Sequence, residues 1–342
     1  MSCCKDGACK CVEKKEEEKD FEIPESSLPV VDGRIYHLSI KADELADKCI
    51  IVGDPDRVPK IANKFLAQVT ADRFHRGLRT ITGLTVNGGV PLTIVTSGMG
   101  TPSLEIVLNE LIAVHELDLA TRKPRGGARK PLTVIRVGTS GAVRSGTALG
   151  TAIIAKYAVG LDNTGTFYDA PCDAVTQGIE DAVTAAVRAA AAPGSRFGAR
   201  LAPYASAAAP EVIDELVAVA QKEGVLHKVG VTASAAGFFA NQGRQIRPYL
   251  RVTVPNIDSV VGSVDLSGVA GLVPRDIRVE NLEMESAALY HIGAMAGCRC
   301  ATVCCTVAQR RTGEFLANQA ECVEAVSRLA VDTLVSLSQK GM

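Results

Sequence analysis

The strongest constraint on the fold of this chain is a set of strand-length apolar runs that lack polar alternation. They read CIIV (49–52), LTIVT (92–96), TVIRV (133–137), TAIIA (151–155), VGVTA (229–233) and ATVCCTV (301–307). A strand apolar on both sides belongs in a sheet covered on both faces. Segments of helical period lie between the runs. In TPSLEIVLNELIAVHE, Thr101 is the expected N-cap and Pro102 the first helical residue. Leu104, Val107, Leu108, Leu111 and Ile112 then share one face. PEVIDELVAVAQKEG turns Ile213, Leu216, Val217 and Ala220 to one side and can close at Gly224. ECVEAVSRLAVDTLVSL places Val323, Val326, Ala330, Leu334 and Leu337 inward. RTITGLTVNGGVPLTIVTS reads as a hairpin turning at Asn87–Gly88. The pattern predicts an α/β fold with a mixed sheet in one domain.

The expected organisation is a charged, cysteine-bearing tail over residues 1–30 and one domain over 31–342. An insertion rich in Ala, Pro, Gly and Ser is expected within 176–210. The net charge of −1 gives no basic excess for nucleic acid or an anionic membrane. No apolar run approaches the roughly 18 residues that span a bilayer. The first twenty residues lack the apolar core of a secretory signal, so a cytoplasmic location is expected. The 11 cysteines are then expected as reduced thiols, several of them buried as small hydrophobes. Four of them, Cys3, Cys4, Cys9 and Cys11, crowd the tail, and Cys298, Cys300, Cys304 and Cys305 fall in or beside one apolar stretch.

Three apolar runs end in glycine-rich turns: Gly53 in IIVGDPDR, Ser97–Gly98 in IVTSGMGTPS, and Gly138-Thr139-Ser140-Gly141 in VIRVGTSGAV. Glycine lets backbone N–H groups approach an anion, and hydroxyls add donors. Arg57 and Arg136 sit beside two of these turns and can grip an oxyanion. Together the turns point to phosphate. No Gly-Lys-Ser/Thr follows any of them, and none is a G-x-G-x-x-G opening a helix, so nucleotide-binding loops are disfavoured. Arg136 lies inside an apolar strand, where a guanidinium needs an anion. That anion is either a bound phosphate or a structural Asp or Glu.

The motifs GDPDR, TSGMGTPS, RVGTSGAV and LEMESAAL occur in the same order as in the nucleoside phosphorylase family, which the chain resembles from about His37 to its C-terminus, outside the 176–210 segment. The resemblance implies a single three-layer α/β/α domain with a distorted mixed central sheet. It also implies transfer of a pentose from a base to inorganic phosphate. By the same resemblance Gly53 and Arg57 form the phosphate turn, and Arg136 and Thr139 add the strand-borne contacts. Arg76 in FHRGLRTITG is the arginine lent by a neighbouring subunit, with Arg79 as its fallback, and His37 in IYHLSI is lent toward the ribose 5′-hydroxyl. Met284 and Glu285 lie under the ribose, the carboxylate accepting from its 2′- and 3′-hydroxyls.

TASAAGFFANQGRQ is similar to the base-binding stretch of the uridine-cleaving members of that family. It implies Phe238 beside the base and Gln242 and Arg244 reading it, with Arg310 as the supporting arginine 26 residues after Met284. The chemistry is consistent: a Gln amide both donates and accepts, matching uracil O2 and N3, and Arg244 can donate to O4. Without that context, Gln242 and Arg244 read as a solvated surface pair. Purine-cleaving relatives carry an acid after the penultimate strand, where this chain reads TVAQRR with Ala308–Gln309. No general acid is available there.

The expectation is reversible phosphorolysis of uridine to uracil and ribose 1-phosphate, with Arg57, Arg136, Glu285 and Arg244 as the catalytic set. Inorganic phosphate is the co-substrate, and no other cofactor and no metal ligand set is expected. Gly77 stands where bacterial relatives place the Glu of an interface cation site, which argues against that ion. The expected assembly is a homo-oligomer, a dimer over a hexamer. A purine nucleoside phosphorylase or nucleosidase, or a nucleoside-binding protein that has lost catalysis, are the alternatives.

Overall fold

The structure is a computed structural model that describes residues 22–127 and 129–342. Cys3, Cys4, Cys9 and Cys11, and with them most of the expected tail, lie outside the described residues. Residues 22–30 are described. Leu28 and Val30 pack against the core, and the Leu28 carbonyl accepts a hydrogen bond from Arg122 Nε.

One 10-stranded sheet organises the domain. Its strands are β1 (Lys48–Val52), β2 (Leu66–His75), β3 (Leu78–Thr85), β4 (Pro91–Thr96), β5 (Thr133–Ala142), β6 (Ala152–Gly160), β7 (Tyr204–Ala207), β8 (His227–Ser234), β9 (Val279–Glu283) and β10 (Arg299–Gln309). The helices are α1 (Arg57–Phe65), α2 (Thr101–Glu116), α3 (Ala174–Ala189), α4 (Pro210–Lys222), α5 (Ile257–Gly262), α6 (Ser286–Met295) and α7 (Gln319–Gln339). Five of the six apolar runs fall within a strand, and TAIIA begins one residue before its strand, β6. All five residues of β1 are buried, as a sheet covered on both sides requires.

The sheet is mixed and branched. β1 runs parallel to β4 and to β5, while β2, β3 and β4 form an antiparallel meander. β5 pairs parallel with β10 and, at its far end, antiparallel with β9. β10 pairs antiparallel with β6, β6 parallel with β8, and β8 parallel with β9. These pairings close a circuit of strands, β5–β10–β6–β8–β9, which bends the sheet into the expected distortion. α1 and α4 both pack against α7, and α2 packs against α6, giving the helical layers of a three-layer α/β/α domain. One apolar core follows the open part of the sheet, and a second, with Val231, Val261, Leu266 and Val279, lies by the circuit.

The turn joining β3 to β4 spans Val86–Gly89, with Gly88 and Gly89 at positive φ, and Val90 N donates to the Thr85 hydroxyl. Three strands escape sequence reading. β2 is an edge strand with polar and exposed positions, β7 lies within the 176–210 segment and pairs with β6, and β9 carries two buried glutamates, Glu280 and Glu283. The residues of the expected insertion thus form α3 and an edge strand of the main sheet.

Two expectations change. α2 is capped not by Thr101 but by Gly100, at φ 86°, and Pro102 is its second residue. The cysteines are not all free: Cys305 on β10 and Cys322 on α7 form a disulfide, with Cα atoms 6.0 Å apart. Packing of the last helix on the last strand creates that pair across 17 residues, a proximity no spacing rule reveals. Cys49, Cys172, Cys298, Cys300 and Cys304 remain free thiols.

Candidate active site

Strand ends from across the sheet converge on a cavity of about 490 Å³. β1 delivers Gly53 and the start of α1, β5 delivers Arg136 and Gly138–Gly141, and the β9–α6 junction delivers Met284 and Glu285. The loop between β8 and α5 supplies Phe238, Gln242 and Arg244, and β10 supplies Val307 and Ala308. Parallel strands bring their C-terminal ends to one edge, which is where open α/β sheets bind ligands.

One end of the cavity is set by the first turn. Arg57 N donates to Asp54 O at 3.1 Å, and Asp54 Oδ1 accepts from Asp56 N at 2.9 Å, so GDPDR closes on itself and opens α1 at Arg57. The Arg57 guanidinium has no hydrogen bond or ion pair among the described residues. Burial holds its pKa below the ordinary arginine value, and the neighbouring Arg136 charge adds to this. An unpaired, desolvated cation on a cavity wall is an anion receptor.

Arg136 answers the question its strand position raises. It is 4% exposed, and Nη1 lies 2.8 Å from Glu283 Oε2 while Nη2 binds Glu285 Oε2. Nη1 also donates to Cys304 Sγ at 3.0 Å. Its Nε has no partner. The guanidinium is therefore both a structural ion pair and part of the cavity wall. Glu283, which the sequence reading passed over, anchors the arrangement, accepting from Ser234 Oγ, Glu285 N and Ser286 N. The signal was present in LEMESAAL, where a second glutamate precedes Glu285 by two residues.

Glu285 Oε1 accepts from Gly100 N at 2.6 Å. Burial pushes its carboxyl above the usual range, against the opposing pull of Arg136. Gly100 makes this contact at positive φ, and a Cβ there would stand 2.9 Å from Ala236 O. Gly100→Ala is thus expected to destabilise the fold by about 1 kcal/mol or more and to weaken catalysis through Glu285. Thermal unfolding together with an activity assay checks both effects.

At the other end, Gln242 is buried at 5% exposure rather than solvated. Arg244 stacks its guanidinium carbon 3.8 Å from the Phe238 ring centroid. Arg244 Nη1 donates to Phe238 O at 2.6 Å and to Gln242 Oε1 at 2.5 Å. This fixes the amide with its NH2 group unengaged. Desolvation, reinforced by Arg310, lowers the Arg244 pKa to about 10. Arg310 does not line the cavity. It stands behind the loop and donates from Nη2 to Gln242 O at 2.7 Å. Ala308 lines the cavity, while the Gln309 side chain turns away to Arg144 O and Thr147 O. The acids lining the cavity, Asp54, Glu283 and Glu285, all belong to other stretches than the loop between β8 and α5.

Thr139 and Met284 line the cavity as expected; His37 and Arg76 do not. These two sit together around Tyr36: its ring contacts His37 at 4.9 Å, and Arg76 lies 5.4 Å from its centroid. His37 Nδ1 is held by Glu110 Oε1 at 2.6 Å. Arg79 is occupied by Asp72, with Nη2 to Oδ2 at 2.7 Å. Met99 and Phe315, both largely exposed, also line the cavity and carried no sequence signal. Among the described residues, no group of three or more His, Cys, Asp or Glu side chains could hold a metal ion. No helix among them is long and apolar enough to cross a membrane.

A sheet edge that gathers two arginines, a buried carboxylate and a buried amide–guanidinium pair suits a nucleoside-type glycosyl-transfer enzyme. The chain belongs to the Phosphorylase superfamily, which residues 47–336 match. It is 32% identical over 284 residues to a uridine phosphorylase of Thermococcus kodakarensis, covering 83% of this chain and 80% of that one. A DeoD-type purine nucleoside phosphorylase of a Geobacillus strain is 34% identical over 122 residues, 36% of this chain and 45% of the relative. Among solved structures, a Trypanosoma brucei nucleoside phosphorylase described as showing uridine phosphorylase activity superposes with a TM-score of 0.80 at 29% identity. That match covers 90% of this chain and 99% of the other.

Proposed function

We propose that the protein is a uridine phosphorylase, cleaving uridine reversibly with phosphate to uracil and ribose 1-phosphate in pyrimidine salvage. The observation that carries this reading is the base end of the cavity: a buried Gln242 amide locked by Arg244, with Ala308–Gln309 where purine-cleaving relatives carry an acid and the Gln309 side chain turned away from the cavity. Cleavage of the glycosidic bond builds positive charge on the sugar and negative charge on the base. A departing uracil anion needs donors at its oxygens, which Gln242 and Arg244 supply.

Phosphate enters beside Arg57 and the Gly138–Gly141 turn. Arg136 turns from Glu285 toward the phosphate, and Glu285 Oε2 becomes free to accept from the ribose hydroxyls. Glu283 keeps hold of Arg136 meanwhile, so the guanidinium is never left unpaired. Phosphate beneath the sugar stabilises the developing cation and attacks it. Positioning and electrostatics suffice, and no covalent enzyme intermediate is required. His37 and Arg76, absent from their own chain's cavity and clustered on its surface, complete the site of a second copy. The working unit is then a homodimer, and a monomer is inactive.

The test is a phosphate-dependent assay on uridine, thymidine, inosine and adenosine. Uridine should be cleaved only when phosphate is present. Arg244→Ala should lower kcat/KM for uridine about 10²-fold, as loss of a charged donor to a developing anion does. Inosine cleavage without uridine cleavage, or full uridine activity in Arg244→Ala, overturns the assignment.

A further inference from the structure

The base-reading loop between β8 and α5 has little regular structure of its own, a single short turn at Ala240–Gln242. Its geometry is imposed from behind. Asp258, on the first turn of α5 and 9% exposed, accepts from Arg310 Nε through Oδ2 at 3.0 Å. Arg310 reaches past it to donate from Nη2 to Gln242 O at 2.7 Å. The next residue, Arg311, ties the same helix to the exit of β10, donating to Ser259 Oγ at 2.5 Å and to Ser263 Oγ at 3.2 Å. α5 is thus docked on β10 by two successive arginines, and the first of them carries the Gln242 backbone.

We propose that Asp258 is a positioning residue for the base end of the site, setting Gln242 and Arg244 through Arg310. This rests on the reading that Gln242 and Arg244 contact the base. Two effects combine. The Asp258–Arg310 pair holds a planar guanidinium so that a second N–H meets the Gln242 carbonyl, an orientation lysine cannot reproduce. Asp258 also offsets the charge of Arg310 at Arg244. Those two residues, from α5 and from the end of β10, are the charged groups that bear on Arg244, with the Phe238 ring on its face. Phosphate is bound at the opposite end, so the two substrates report separately.

Asp258→Asn keeps the shape and removes the charge. The KM for uridine is expected to rise about tenfold, the scale of one charged hydrogen bond lost, while the KM for phosphate stays within twofold. Arg244 must be protonated to serve, and desolvation together with the Arg310 charge already lowers its pKa to about 10. Without Asp258, Arg310 lowers that value further, so the alkaline limb of the pH profile for uridine moves to lower pH. In an Arg310→Gln background, Asp258→Asn should add nothing to the uridine KM. If Asp258→Asn does not fold, Arg310→Lys carries the same test: it should raise the uridine KM about tenfold and leave the phosphate KM unmoved.

An unchanged uridine KM in Asp258→Asn, an equal rise for both substrates, or a full effect in the Arg310→Gln background overturns the proposal. So does Arg310→Lys with wild-type uridine binding where that variant stands in. A wild-type protein that does not cleave uridine instead overturns the reading beneath it, so the two failures are distinct.

Discussion

Arg136→Met should lower the stability of the protein by about 3–5 kcal/mol, and phosphorolysis should fall below detection. The size follows from what the substitution strands. Glu283 and Glu285 are both buried and lie against the guanidinium, and removing one partner of a buried ion pair leaves the other charge uncompensated. Here two carboxylates are left facing each other, which compounds the cost. Denaturant unfolding measures the loss. Arg136→Lys separates stability from function: it keeps a cation between the carboxylates but cannot address both and a phosphate with a planar fork. It should recover much of the stability and little of the activity. A wild-type unfolding midpoint in Arg136→Met would mean that the carboxylates do not depend on Arg136.

Arg57→Ala should behave in the opposite way. The Arg57 guanidinium is desolvated and unpaired, so its removal should leave stability unchanged or slightly raised. Activity should nonetheless fall about 10²–10³-fold, with the phosphate KM strongly raised, because a donor poised at the reacting anion has been lost. Thermal unfolding and phosphate saturation curves on one preparation decide the matter. A destabilised but active Arg57→Ala would reverse the roles assigned to the two arginines. The contrast is physical: one arginine is satisfied by the protein and the other waits for a ligand.

Much of this was legible in the sequence. Runs apolar on both faces required a covered sheet, and six of them fall on six strands. GDPDR and RVGTSGAV pointed to a cavity wall because glycine-rich turns at strand ends, taken together and flanked by arginines, expose backbone N–H groups and charge at one sheet edge. The illegible parts were those in which a tertiary partner reverses a local rule. β9 escaped because its buried glutamates are neutralised from other strands, Glu283 by Arg136 of β5. Gly100 displaced Thr101 as the cap because its N–H is claimed by Glu285, 185 residues away. The Cys305–Cys322 bridge arose only where α7 lies on β10.

By itself, then, the sequence determined the candidate side chains: Arg57 and Arg136 beside glycine-rich turns for an anion, and, by resemblance to the family, Glu285 for hydroxyls and Gln242 and Arg244 for a base. The first assignment rests on residue type and turn chemistry, the others on motifs shared in order with the family. The tertiary structure decided what state each is in. It paired Arg136 with two carboxylates and left Arg57 without a partner, buried Gln242 instead of exposing it, and put Asp258 and Arg310 behind the loop that holds it. Charge pairing and desolvation depend on through-space neighbours, and residues brought together from β5, β9, β10 and α5 are neighbours only once the sheet has closed its circuit.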